Sequence, residues 1–78
     1  MREFEIQIKS VHDVLTFVNL ATARSFDIRV GNENHQVNGK SFMEMFCLNF
    51  SRPLKARMVC TEEEYRQFLL DAASLLVI

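Results

Sequence analysis

Lys40 and Ser41 stand directly before an apolar run in Asn38–Phe46, NGKSFMEMF, and this pair has the plainest capacity for chemistry in the chain. A hydroxyl at the start of a helix faces unpaired N–H groups and the positive end of the helix dipole. A phosphate placed there, beside a lysine, is physically favoured. Glu44, three residues on, completes the S-x-x-E spacing of a capping box, in which Ser41 simply starts the helix. A carboxylate at that point also repels a doubly charged phosphate a few ångströms away. As a plain cap, Ser41→Ala costs about 1 kcal/mol. From the residues alone, both roles of Ser41 stay open.

The other candidates are weaker. His12 falls in the first turn of an amphipathic segment and reads as a partly exposed polar residue; His35 has no ligand-spaced partner and reads as a strand or turn residue. Cys47 and Cys60 form no CxxC and meet no paired histidines, so two reduced, mostly buried thiols are expected rather than a redox or zinc site. Arg24 and Arg29 offer forks for a phosphate or carboxylate, with solvated surface as the alternative. No hydrolase, redox or metal constellation is present, and neither a cofactor nor a metal is implied.

Charge and hydropathy narrow the classes. Nine basic against ten acidic side chains give a net charge of −1, which lacks the field expected of a nucleic-acid binder. No apolar run reaches the roughly 18 residues of a membrane helix, and MREFEIQIKS alternates where a signal peptide would be charged and then apolar. The expectation is a single cytoplasmic domain over residues 1–78, binding neither nucleic acid nor membrane.

The elements that must position these residues follow from periodicity. Phe4, Ile6 and Ile8 alternate with polar residues, predicting a strand over about 2–8. From the N-cap Ser10, with Asp13 in the first turn, Val11, Val14, Leu15, Val18 and Ala21 repeat at helical spacing, and Phe17 and Leu20 widen the stripe. Phe26, Ile28 and Val30 alternate into the turn-rich GNEN, so a hairpin should lead into a strand at His35–Val37. A short helix after Ser41 and a strand from Leu54 to Cys60 come next. A second capping box, Thr61 and Glu64, opens a last helix buried through Tyr65, Phe68, Leu69, Ala72 and Leu76. The LLVI end either finishes the core or joins two subunits. The order β-α-β-β-α-β-α predicts an α+β open-faced sandwich, a four-stranded antiparallel sheet with three helices on one face.

That order, together with VNGKSFMEMFCL, resembles HPr, the small phosphocarrier family of the bacterial sugar phosphotransferase system. The likeness runs without gaps from about Phe17 to Cys60. VNGKSFM is similar to the family's V-N-x-K-S-I-M, and FVNLATARSFDIRV to the back of its first helix and its second strand. At this register the family's two phosphate-accepting positions fall on Ser10 and Ser41. Phosphate-carrying members have a histidine in G-I-H-x-R-P, where this chain has IKSVHD: Ser10 replaces the histidine, His12 the arginine and Asp13 the proline. For His12 to serve instead, the helix would need a two-residue deletion that turns its apolar stripe by about 200°.

The resemblance implies an HPr-like domain that is not a stand-alone enzyme. A non-catalytic regulatory or protein-binding module is expected, with a carrier using His12, or a regulator phosphorylated at Ser41, as alternatives. In Gram-positive members the serine at Ser41's place is phosphorylated by a dedicated kinase, after which the protein binds a transcription factor. Against that stands Glu44, where the family has a small residue. Phe42, Met43 and Phe46 fall where the family presents its apolar docking surface, or else they cap the core. The implied partners are proteins, either phosphotransferase-system enzymes or a transcriptional regulator; the oligomeric state stays open.

Overall fold

The computed structural model describes residues 1–77. Alternation makes the sheet: β1 (Arg2–Ile6), β2 (Ile28–Gly31), β3 (Gln36–Asn38) and β4 (Leu54–Met58) are antiparallel in the order β1-β4-β2-β3. Phe4, Ile6, Ile28, Val30, Val37, Leu54, Ala56 and Met58 project from one side into the core. They meet Val14, Phe17, Val18 and Ala21 of α1 (Val11–Thr22), Met45 of α2 (Phe42–Met45) and Phe68 of α3 (Glu62–Asp71). Phe68 sits near the middle of this layer, its ring centroid 5.3 Å from Phe4, 5.9 Å from Phe17 and 6.3 Å from Phe26. Burying each such ring contributes about 1.5–3 kcal/mol. The α+β open-faced sandwich expected from the element order is therefore present.

Several boundaries move inward. β1 stops at Ile6, although Ile8 remains buried. β2 begins at Ile28, because Phe26 leaves the ladder and turns its ring edge-on to Phe68. β3 lies one residue later than expected and β4 ends at Met58. Val11 and Leu15, expected in the buried stripe of α1, are 60% and 40% exposed; the four buried residues already fill the face that the sheet can cover.

Leu76 is not part of α3. That helix ends at Asp71, and a 3-10 turn over Ala73–Leu75 brings the chain back along the outer edge of β1. There the Gln7 N–H donates to the Leu75 carbonyl (2.7 Å), the Val77 N–H donates to the Glu5 carbonyl (3.2 Å), and Leu76 pairs with Ile6. This pairing covers an edge that would otherwise recruit another strand. Leu75 is buried and so finishes the core; Ile78 lies outside the described residues.

Two glycines set the path into the Lys40–Ser41 segment. Gly31, at φ 153°, opens the GNEN turn, and a Cβ there would stand 2.0 Å from the His35 carbonyl oxygen. Gly39 lies against Ile28, Val30 and Phe17, with contacts of 3.0, 3.0 and 3.1 Å to an added Cβ. Its N–H donates to the Ile28 carbonyl at 2.8 Å, so Lys40 and Ser41 leave the sheet from a fixed point.

Candidate functional site

The N-terminus of α1 is closed by its own side chains. Ser10 is extended (φ −159°, ψ 169°), and its Oγ accepts the Asp13 N–H at 3.4 Å, which makes it the N-cap. The Asp13 Oδ2 in turn accepts the Lys9 N–H at 2.8 Å, holding a carboxylate at the positive end of the helix. His12 is exposed, and among the described residues its ring has no hydrogen bond or ion pair.

The start of α2 is built the same way. The Ser41 Oγ accepts the Glu44 N–H at 3.3 Å, and the Glu44 Oε1 accepts the Asn38 N–H at 3.1 Å. The expected box is thus only half formed. The Ser41 N–H donates to the Asn38 carbonyl (3.1 Å), so Glu44 reaches past Ser41 to the edge of β3. The two contacts at Asn38 also occupy part of that sheet edge. Lys40 does not attend Ser41: its Nζ donates to the Arg24 carbonyl at 2.7 Å, holding β3 and α2 against the end of α1.

Around these termini lies apolar surface. Met45 is fully buried, while Phe42 and Met43 on the same short helix and Phe46 at its C-cap are 38%, 83% and 45% exposed. A four-residue helix can sink one residue into the core, and its remaining apolar side chains stay in water. On α1, which packs against α2, Val11 and Leu15 are exposed four residues apart, on one face. Sequence reasoning missed this second half of the surface. The available signal was that Val14, Phe17, Val18 and Ala21 alone complete a buried stripe.

The remaining candidates separate. Arg24 is committed inside the molecule: its guanidinium pairs with Asp71 and lies 5.0 Å from the centroid of the Phe68 ring. The Arg24 hydrogen bond holds the Asp71 carboxyl below its ordinary pKa. Arg29 is exposed on β2, away from Arg24. His35 ends the turn, its N–H donating to the Asn32 Oδ1 at 2.9 Å. Cys47 is exposed rather than buried, because α2 ends before a further turn can cover it; its Sγ lies 3.4 Å from the Met43 carbonyl oxygen. Cys60 is half-buried, and burial, reinforced by Glu64, pushes its thiol pKa up. Among the described residues no group of three or more histidine, cysteine or acidic side chains could hold a metal, and no helix is long and apolar enough to cross a membrane.

Comparison with known proteins places these features in context. No protein-family model matches the sequence, and no curated protein sequence does. Among solved structures, the chain is similar to HPr-C-His from Thermoanaerobacter tengcongensis, with 32% identity over 91% of this chain and 89% of that one and a TM-score of 0.72. It shares its fold with the phosphocarrier protein HPr of Bacillus anthracis strain Ames (18% identity, 95% of each chain, TM-score 0.67). The same holds for the histidine-containing phosphocarrier protein of Mycoplasma (15% identity, 95% of this chain and 98% of that one, TM-score 0.66).

Proposed function

The chain belongs to the HPr family of phosphocarrier proteins, and from that premise we propose that it is a non-catalytic member, a cytoplasmic protein-binding module of the phosphotransferase-system family. The observation that carries this proposal is the Asp13 carboxylate, fixed at the α1 N-terminus by the Lys9 N–H at 2.8 Å beside the capping Ser10. A histidine carrier works because an imidazole nitrogen attacks phosphorus near neutral pH and leaves as readily. A serine hydroxyl does so only with an adjacent base. The single hydrogen bond of the Ser10 side chain among the described residues is one it accepts, from the Asp13 N–H, so nothing there draws off its proton. A phosphoryl group at this point would also meet a carboxylate where the family supplies a proline.

The binding role is supported by the exposure of Phe42 and Met43 of α2 and its C-cap Phe46, where the resemblance expects the family's docking surface, and by the exposed Val11 and Leu15 of α1, the helix that packs against α2. Flexible thioether and aromatic side chains of this kind make adaptable contact surfaces. Ser41 caps α2 by accepting the Glu44 N–H, as the Thr61 Oγ1 caps α3 by accepting the Glu64 N–H at 3.1 Å; only at Thr61 does the glutamate also return a bond to the cap N–H, at 2.9 Å.

The test is the intact mass after incubation with phosphoenolpyruvate and the general donor enzyme of the phosphotransferase system, with an authentic HPr alongside. The expected result is an unmodified mass while the authentic protein gains one phosphoryl group. An acid-labile gain abolished by His12→Ala would overturn the proposal in favour of a carrier. A second arm with the family's kinase and ATP checks Ser41: an acid-stable gain lost in Ser41→Ala would make the protein a phosphorylation-controlled regulator instead.

A further inference from the structure

The face of the sheet turned away from the helices carries a row of side chains set by register: Glu3 on β1, Arg57 on β4, Arg29 on β2 and Asn38 on β3 are successive partners across the ladder. Arg57 and Arg29 are therefore direct cross-strand neighbours, with Cβ atoms about 5 Å apart, an arrangement that is unfavourable for like charges. The chain compensates only one of them. The Glu3 carboxylate lies 3.0 Å from the Arg57 Nε and 3.9 Å from the Lys55 Nζ, so one anion is shared between two cations. Glu5 stands opposite Lys55 in the next register position. Among the described residues Arg29 has neither an ion pair nor a side-chain hydrogen bond, and Arg57 uses only its Nε, leaving the terminal Nη donors of both forks unspent.

Both arginines line a depression of about 450 Å³ that also includes Gln36, Val59 and Phe26. That volume lies within the roughly 300–1,000 Å³ typical of small-molecule sites. Val59 is 74% exposed, an apolar side chain beside two guanidinium groups. Asp27 is the one carboxylate among the lining residues, and it is exposed.

We propose that this open sheet face is an anion site, in which Arg29 and Arg57 together grip a phosphate monoester dianion while Val59 seats its organic body. Two planar forks on neighbouring strands match the oxygens of a phosphoryl group better than point charges do, and an entering dianion relieves the repulsion between them. The site is independent of the α1 N-terminus, since it lies on the opposite side of the sheet.

The experiment is an amide and arginine-side-chain NMR titration of the whole chain with phenyl phosphate, repeated with inorganic phosphate. The expected result is saturable shifts at Arg29, Arg57, Gln36 and Val59, weakened about tenfold in Arg29→Gln and less in Arg29→Lys, which keeps the charge without the fork. Arg29→Gln breaks no ion pair or side-chain hydrogen bond among the described residues, so a retained fold, read from its amide spectrum, is the control. Asp27→Asn should tighten binding, and raised salt should weaken it. Shifts that do not saturate, that persist unchanged in Arg29→Gln, or that centre on Ser10 or Ser41 would overturn the site. Equal affinity for inorganic phosphate would overturn the seat assigned to Val59.

Discussion

The N-terminus of α1 and the open face of the sheet handle charge in opposite ways. At the helix end, where backbone N–H groups and the dipole favour an anion, the chain supplies its own: Asp13 holds the Lys9 N–H and Ser10 holds the Asp13 N–H. On the sheet, where no backbone donor points outward, it sets Arg29 directly opposite Arg57 and provides Glu3 for one of them only. The helix end thus carries a carboxylate of its own, although the Val11 and His12 N–H groups stay without a partner among the described residues. The sheet face has a guanidinium with no ion pair, and capacity to bind an outside anion lies where a cation remains without a carboxylate of its own.

The strongest way to break this comparison is to reopen the helix end. Ser10→His, His12→Arg and Asp13→Pro together restore the carrier pattern and remove the closing carboxylate. Incubated with phosphoenolpyruvate and the donor enzyme, the triple variant is expected to go from no transfer to an acid-labile gain of one phosphoryl group, read by intact mass. If the fold is retained and transfer is still absent, closure by Asp13 is not what silences the site.

A second contrast sharpens the division between core and docking surface within a single turn. Met45 is fully buried and Met43 is 83% exposed, two residues apart on α2. Met45→Ala should cost about 2–5 kcal/mol in urea denaturation, whereas Met43→Ala should stay within about 0.5 kcal/mol. A large cost at Met43 would mean that the exposed patch supports the fold rather than standing ready for a partner.

Much of this was legible in the sequence, for reasons that can be assigned residue by residue. Phe4, Ile6, Leu54 and Ala56 declare their strands because one face is buried and the other is wet, and that forces a period of two. Ser10 and Thr61 declare their helices because a cap is a local device, complete within four residues. What escaped detection depends on distant partners. Leu76 continues the helical spacing of α3, yet it pairs with Ile6, and no local pattern records that the chain will turn back along β1. Glu44 has box spacing but bonds Asn38, because the turn after β3 brings that N–H closer. Arg24 and Arg29 looked equivalent, and what separates them is Asp71, far along the chain.

That last pair yields the smallest effect, and it compares an ion-paired arginine with an unpaired one. Asp71 has its folded-state pKa lowered, first by the Arg24 hydrogen bond, so the pair contributes stability that is present above the ordinary carboxylate pKa. This contribution is lost as pH falls through the acid range towards the lowered value, because protonating Asp71 in the folded state breaks the pair. Asp71→Asn should therefore reduce stability slightly at neutral pH and flatten the acid limb of a stability–pH profile measured by thermal melts. Arg29→Gln, with no carboxylate to release, should leave the profile nearly parallel to that of the parent. The guanidinium of Arg24 also rests on Phe68, so an apolar contact survives when the charge on Asp71 is removed. A variant Arg24→Ala, which removes that contact as well, should therefore lose more stability than Asp71→Asn. If the two lose equally, the arginine acts through its ion pair alone, and its stacking on the ring contributes nothing measurable.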